Sequence, residues 1–224
     1  MAEDSWPEFT DDEWARCCAQ VREVPFTYRH MLLHFKFLHL FYYTPARLCR
    51  YGIREDPSCA SCGLSPADFL HLVWTCDSVR KYWLEVFWTI GKMVPLVLDP
   101  NPYLALLGDV CMVPSVHQRC IAHALLLAKR RVALLWMASS VPRVSDWVKD
   151  MVYCSRQLES YWLQMPAVSR PRDKMEPLRQ YLLAHPLGAG GSVRGAAAIL
   201  FMMSITFLHI DISVMVKCPV ADYC

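Results

Sequence analysis

Four residues in one short stretch carry most of the chemistry legible in this sequence: Cys59, Cys62, His71 and Cys76, spaced C-x2-C-x8-H-x4-C. Closed structural zinc sites take four nitrogen or sulfur ligands in a tetrahedron. Two cysteines separated by two residues reach one ion from a single tight turn. Gly63 then lets the backbone reverse, because positive φ costs glycine little. Ser65-Pro66-Ala67-Asp68 reads as a capping box with proline at the first helical position. The helix it starts should turn His71 back toward the cysteine turn, with Leu70, Val73 and Trp74 covering a small core. Cys76 closes the site just past the helix end. Four protein ligands leave no place for water, so a structural site is expected, with Zn2+ as cofactor. A segment with so little apolar surface should need the metal to fold.

Other candidates for chemistry are weaker. Phe9-Thr10-Asp11-Asp12 imitates the metal-binding turn of reverse transcriptases, but Ser5-Trp6-Pro7-Glu8 before it is no strand, and Thr10-Asp11-Asp12-Glu13 reads as a helix start. His30 and His34 stand at i, i+4 like a metal pair, yet no third ligand is near in sequence, which points to a surface or RNA-facing role. Cys17, Cys18, Cys49, Cys111, Cys120 and Cys154 read as small buried hydrophobes. With no glycine-rich phosphate loop and no Ser/His/Asp pattern, no enzyme activity is expected.

The metal loop needs elements to hold it. Met31, Leu32, Phe35, Leu38 and Tyr42 follow helical spacing, which predicts one amphipathic helix from Thr27 through Tyr43. Thr44-Pro45 starts a short helix that Gly52 stops. Asp77 caps a helix over Val79–Ile90, closed by Gly91, with Trp83, Val86, Phe87 and Ile90 inward. Residues 93–116, broken by Pro95, Pro100, Pro102 and Pro114, read as a linker or irregular loop. Two further helices are predicted, Gln118–Met137, with Lys129, Arg130 and Arg131 together, and Ser145–Leu163, capped by Ser145 or Asp146. No strand series or repeat is visible, so the class is mainly α: a small zinc-stapled helical module, then a helical segment and an apolar C-terminal tail.

Composition agrees with a folded chain. Of 224 residues, 54% are hydrophobic and 20% charged, enough apolar matter for a core. Net charge is only +2, but it is unevenly placed: residues 1–26 carry seven acidic and two basic side chains, whereas 27–92 carry eight basic against five acidic. The expected divisions are an acidic N-terminal arm (1–26), a CCHC zinc module (27–92), a linker and helical segment (93–187), and a Gly-rich hinge with an apolar tail (188–224). Eleven cysteines without a visible export signal predict reduced thiols and a cytoplasmic or nuclear compartment. Residues 196–216 lack Lys, Arg and Glu and are long enough to cross a bilayer, but His209 and Asp211 interrupt them; a buried strand and an irregular extension remain open readings.

Leu38-His39, Tyr42-Tyr43-Thr44-Pro45-Ala46-Arg47-Leu48, Gly52, the cysteine pair, Ala67-Asp68-Phe69-Leu70-His71, Trp74-Thr75-Cys76 and Tyr82-Trp83 occur in an order and spacing found elsewhere. Over about residues 12–90 the chain resembles the C-terminal zinc-binding region of non-LTR (LINE-type) retrotransposon reverse transcriptases. The likeness continues more loosely, through Ala128-Lys129-Arg130, Trp136 and Pro142–Trp147, to near residue 165. One position departs: Leu40 stands where the family usually has a basic residue, so one expected phosphate contact is missing. The resemblance implies a non-catalytic module beside a reverse transcriptase body, binding RNA or single-stranded DNA. Arg47, Arg50, Arg54, Arg80 and Lys81 flank the metal loop and suit phosphate, while Tyr42, Tyr43 and Trp74 suit base stacking. The plainer alternative is that the arginines solvate a surface and the aromatics fill a core.

Overall fold

A computed structural model describes residue 6 and residues 9–23, 27–164 and 176–184. The hinge and the apolar tail, with every reading of 196–216, lie outside the described residues. Among the described residues there are helices and no strand, as the periodicity predicts, and no helix is long and apolar enough to cross a membrane.

Helix α1 spans Asp11–Glu23. Thr10 and Glu13 close a reciprocal capping box: the Thr10 amide donates to the Glu13 carboxylate at 2.9 Å, and the Glu13 amide donates to Thr10 Oγ1 at 3.3 Å. This segment is not a free arm. It packs on α2 (Tyr28–Leu38), buries Cys17, and is tied by Arg16 to Asp109 at 3.3 Å.

The predicted helix over 27–43 stops early, because Leu40 takes a left-handed φ of 53°. The amide of Leu40 returns to the Phe37 carbonyl (3.2 Å) and that of Phe41 to the Lys36 carbonyl (2.8 Å), a Schellman closure usually built on glycine. Arg47, on α3 (Pro45–Arg50), donates to the carbonyls of Leu40 at 2.8 Å and Tyr42 at 3.3 Å and so pins this turn. Thr44 caps α3, and Gly52 at φ 68° ends the turn that follows it.

Helix α4 (Asp77–Met93) runs past Gly91, which does not close it. Glycine stands there for room: a Cβ would come within 3.3 Å of the Leu96 carbonyl oxygen. Helices α5 (Ser115–Leu135) and α6 (Val144–Gln164) follow close to their predicted spans, and α7 (Glu176–Ala184) packs against α4. The larger of two buried clusters holds Phe37, Phe69, Tyr82, Trp83, Phe87, Ile121, Leu125 and Trp147, and a smaller one joins Cys17 of α1 to Leu38 and Leu107.

Residues 94–114 are irregular in backbone, yet they do not behave as a linker. A π-helical turn, Tyr103–Leu107, drives Leu104, Ala105, Leu106 and Leu107 into the interior against α2 and α5. Proline breaks regular helix here without removing the apolar burial that holds the segment down.

One further expectation fails on burial. His30 and His34 face inward, not toward solvent or RNA. Lys129, read as part of a basic run, is only 1% exposed; its Nζ meets His34 Nδ1 and donates to the Leu106 carbonyl at 2.7 Å. Its neighbours Arg130 and Arg131 both pair with Asp150 on α6, at 3.0 and 2.6 Å. The Lys-Arg-Arg run therefore fastens α5 to its surroundings.

Burial of these bases makes stability depend on pH. Desolvation, with Arg130 adding to it, lowers the His30 pKa from 6.5 to about 4, and desolvation moves His34 the same way. Between those values the unfolded chain takes up a proton that the native His30 refuses. The contribution of neutral His30 to native stability is thus complete above about pH 6.5 and is lost as pH drops toward 4. The urea midpoint of the wild type should fall between pH 7 and pH 5, and His30→Phe should fall less. Parallel pH slopes for the two chains would contradict this assignment.

Candidate metal centre

The metal loop lies between α3 and α4, and local hydrogen bonding shapes each half of it. In the first half the Gly63 amide donates to the Cys59 carbonyl and the Cys59 amide to the Leu64 carbonyl, both at 2.8 Å. Gly63 sits at φ 74°, the conformation the sequence assigned it. Ser61 Oγ donates to the Ala138 carbonyl at 3.3 Å, which ties this turn to the end of α5.

In the second half the helical start moves from its predicted place. Ser65-Pro66 is a cis turn, and Pro66 does not open a helix. The cap is Asp68, whose carboxylate accepts from the His71 amide at 2.7 Å. The turn His71–Thr75 is π-helical, with the Cys76 amide returning to the His71 carbonyl at 2.9 Å. This wider turn ends with Cys76 at the N-cap of α4. Trp83 holds the turn from below, its Nε1 donating to the Val73 carbonyl at 2.8 Å.

These two halves bring the ligand atoms of Cys59, Cys62, His71 and Cys76 within 4.8 Å of one another. Cys59 Sγ and Cys76 Sγ are 4.0 Å apart, and Cys62 Sγ lies 3.2 Å from His71 Nε2. Two sulfurs bound to one zinc at about 2.3 Å in a tetrahedron stand about 3.8 Å apart, close to the separation of this sulfur pair. Cys59, His71 and Cys76 are buried and Cys62 is at the surface, which gives an ion a short entry path.

The electrostatics also suit a cation. Burial pushes the Cys59 thiol up, but the amides of Ser61 and Cys62, acting on its sulfur, bring it below its usual range. Burial pushes Cys76 up to about 11 even though the Ser78 and Val79 amides, at the start of α4, pull the other way. Desolvation lowers the His71 pKa, keeping its imidazole neutral and able to donate a lone pair. Amides aimed at buried sulfur favour thiolate, and a bound cation would supply the remaining compensation. These four residues could hold one metal ion. As all four ligands come from protein, such an ion would brace the fold.

The predicted nucleic-acid residues are placed less uniformly. Arg50, Arg80 and Lys81 are exposed. Arg54 lies 3.9 Å from Asp56, and Arg47 is occupied by the Leu40 and Tyr42 carbonyls. Tyr42 turns inward, edge-on to Phe37 and Trp136, and burial raises its hydroxyl pKa. Trp74 packs on Trp83 and Phe87. Tyr43 alone of these three aromatics presents its ring to solvent. Trp88, which belongs to no motif, is 64% exposed on α4 with Lys92 Nζ 3.3 Å from its ring centre. Its place opposite the inward stripe Trp83, Val86, Phe87 and Ile90 was readable from helical spacing. Of the remaining cysteines, Cys17 and Cys120 are buried as expected, whereas Cys111 is exposed. Among known proteins, no family profile matches the chain, and no curated sequence does.

Proposed function

We propose that this chain is a non-catalytic zinc module that binds RNA or single-stranded DNA, of the kind that follows the polymerase in non-LTR retrotransposon reverse transcriptases. The observation that carries the reading is the assembly of Cys59, Cys62, His71 and Cys76 into a four-ligand cluster, at the positions where the sequence resembles that region. Zinc supplies a crosslink between the cysteine turn and the start of α4. The chain's own residues do the rest: the turn ties α3 to α4, which display Arg50, Arg80 and Lys81 on the outside. Phosphate contacts of this kind release counterions, so binding should weaken steeply with salt.

The test is a titration of the zinc-loaded chain with a labelled single-stranded oligonucleotide at two salt concentrations. Each of Arg50→Ala and Arg80→Ala should weaken binding and reduce the salt slope by about 0.7, the contribution of one phosphate contact on a single strand. Affinity indifferent to salt and to both substitutions would sink the proposal. A protein-docking scaffold is the second reading, favoured by the exposed side chains of Phe41, Tyr43, Tyr51 and Ile53 on either side of α3. It would leave the chain without oligonucleotide affinity of its own.

A further inference from the structure

The outer face of α4 and the segment leading into α6 form a cleft of about 450 Å3 that the metal centre does not use. Ser78, Lys81, Tyr82 and Glu85 line it from α4, and Val141, Pro142, Arg143, Val144 and Ser145 from the opposite side. Tyr82 makes a fixed floor, because its hydroxyl donates to the Ala128 carbonyl at 3.1 Å. Lys81 and Arg143 have no ion-pair partner among the described residues, unlike Arg16, Arg54, Arg130, Arg131 and Lys149. Glu85 is the carboxylate in the lining, so the cleft carries two cations against one anion.

The same face continues along α4. Lys81, Glu85, Trp88 and Lys92 fall at helical spacing, and all four are exposed. Trp88 lies seven residues beyond Lys81, about 10 Å further along the axis. An exposed indole with Lys92 Nζ over one face of its ring, in line with a cleft holding two unpaired cations, combines the two contacts that bind a single strand without reading its sequence: stacking on an aromatic and charge on the backbone. An acidic peptide would use the cations but would have no use for the indole.

We infer that this face is a track for single-stranded nucleic acid, with a backbone phosphate in the cleft between Lys81 and Arg143 and a base stacked on Trp88. This rests on the nucleic-acid reading above and gives it a place. None of the four candidate zinc ligands lines the track, and Tyr82 joins its floor to α5. It also gives Trp88, which contributes little to the core, a reason to be tryptophan.

The test uses the full zinc-loaded chain and a fluorescein-labelled 12-nucleotide oligouridylate, followed by anisotropy at 50 and 200 mM salt. Trp88→Ala should weaken binding at least about fivefold, the lower end for one stacked base, with the salt slope unchanged. Trp88→Tyr should restore most of the loss. The Lys81→Ala/Arg143→Ala pair should also weaken binding and should flatten the salt slope by about 1.4, two phosphate contacts on a single strand. If the wild type binds and both variants bind equally well, the track is wrong while the nucleic-acid reading stands. If the wild type does not bind, both fall. Displacement of the labelled strand by polyglutamate as readily as by unlabelled oligouridylate would assign the cleft to an acidic polypeptide and overturn the inference.

Discussion

Stripping metal from the chain at neutral pH, or replacing Cys59 with serine, is expected to lower its thermal unfolding midpoint by 10 °C or more. Between α3 and His71 the chain has little regular structure. Its backbone is held mainly by local bonds such as the Ala67 amide to the Pro57 carbonyl at 2.8 Å and the pair around Gly63. Cys59, Ala67 and Phe69 are the buried apolar side chains between residues 53 and 70. That is too little to offset the entropy of ordering the segment at roughly 1–2 kcal/mol per residue. Structural zinc contributes about 10–16 kcal/mol in isolated finger peptides, comparable to the whole stability of a domain. Here α4, α5 and α6 retain a core of their own, so a smaller share is at stake. Even about 5 kcal/mol corresponds to about 10–20 °C for a chain of this size. Circular dichroism melts with and without chelator, followed by zinc add-back, measure it directly. An unchanged midpoint would mean that the four ligand residues brace nothing.

Trp83→Ala is expected to have the second largest effect and to reach the metal. Trp83 is fully buried against Trp74, Tyr82 and Phe87, and truncating a core tryptophan costs about 3–5 kcal/mol. It also leaves the Val73 carbonyl without its indole donor, inside the π-helical turn that carries His71. Loss of stability and weaker zinc binding should therefore appear together. Trp147→Ala is the control: Trp147 is equally buried and donates to the Ala124 carbonyl at 2.9 Å, but it sits on α6, away from the ligands. Both variants should melt well below the wild type, and only Trp83→Ala should surrender zinc to a competing chelator at lower concentration. Equal zinc affinities in the two variants would break the link between the Trp83 hydrogen bond and the metal turn.

The parts of this molecule legible in its sequence are those governed by local rules. Ligand spacing, the glycine at positive φ and the capping at Thr10, Thr27 and Thr44 depend on neighbours within a few residues, and periodicity gave α4, α5 and α6 to within a few residues. What sequence misplaced depends on contacts far along the chain. Nothing near Lys129 in sequence marks it as buried, and only the arrival of His34 and the Leu106 carbonyl makes a buried amine tolerable. Tyr42 looks available for stacking until Trp136, from the end of α5, covers it. The helix over 27–43 ends early because Leu40 accepts a left-handed turn that Arg47 pins, which no propensity scale anticipates. The Ser65-Pro66 signal was misplaced by three residues, since Asp68 competes for the same cap and wins it. Residues 103–107 show the same rule: proline predicts irregular backbone correctly and says nothing about whether that backbone is buried.

The most direct measurement is the metal content of the purified full chain by native mass spectrometry. One zinc per chain is expected in the wild type, and none or a weakly held fraction in each of Cys59→Ser, Cys62→Ser, His71→Ala and Cys76→Ser. A wild-type chain that carries no zinc when purified without chelator, or four variants that all keep a full equivalent, would contradict it.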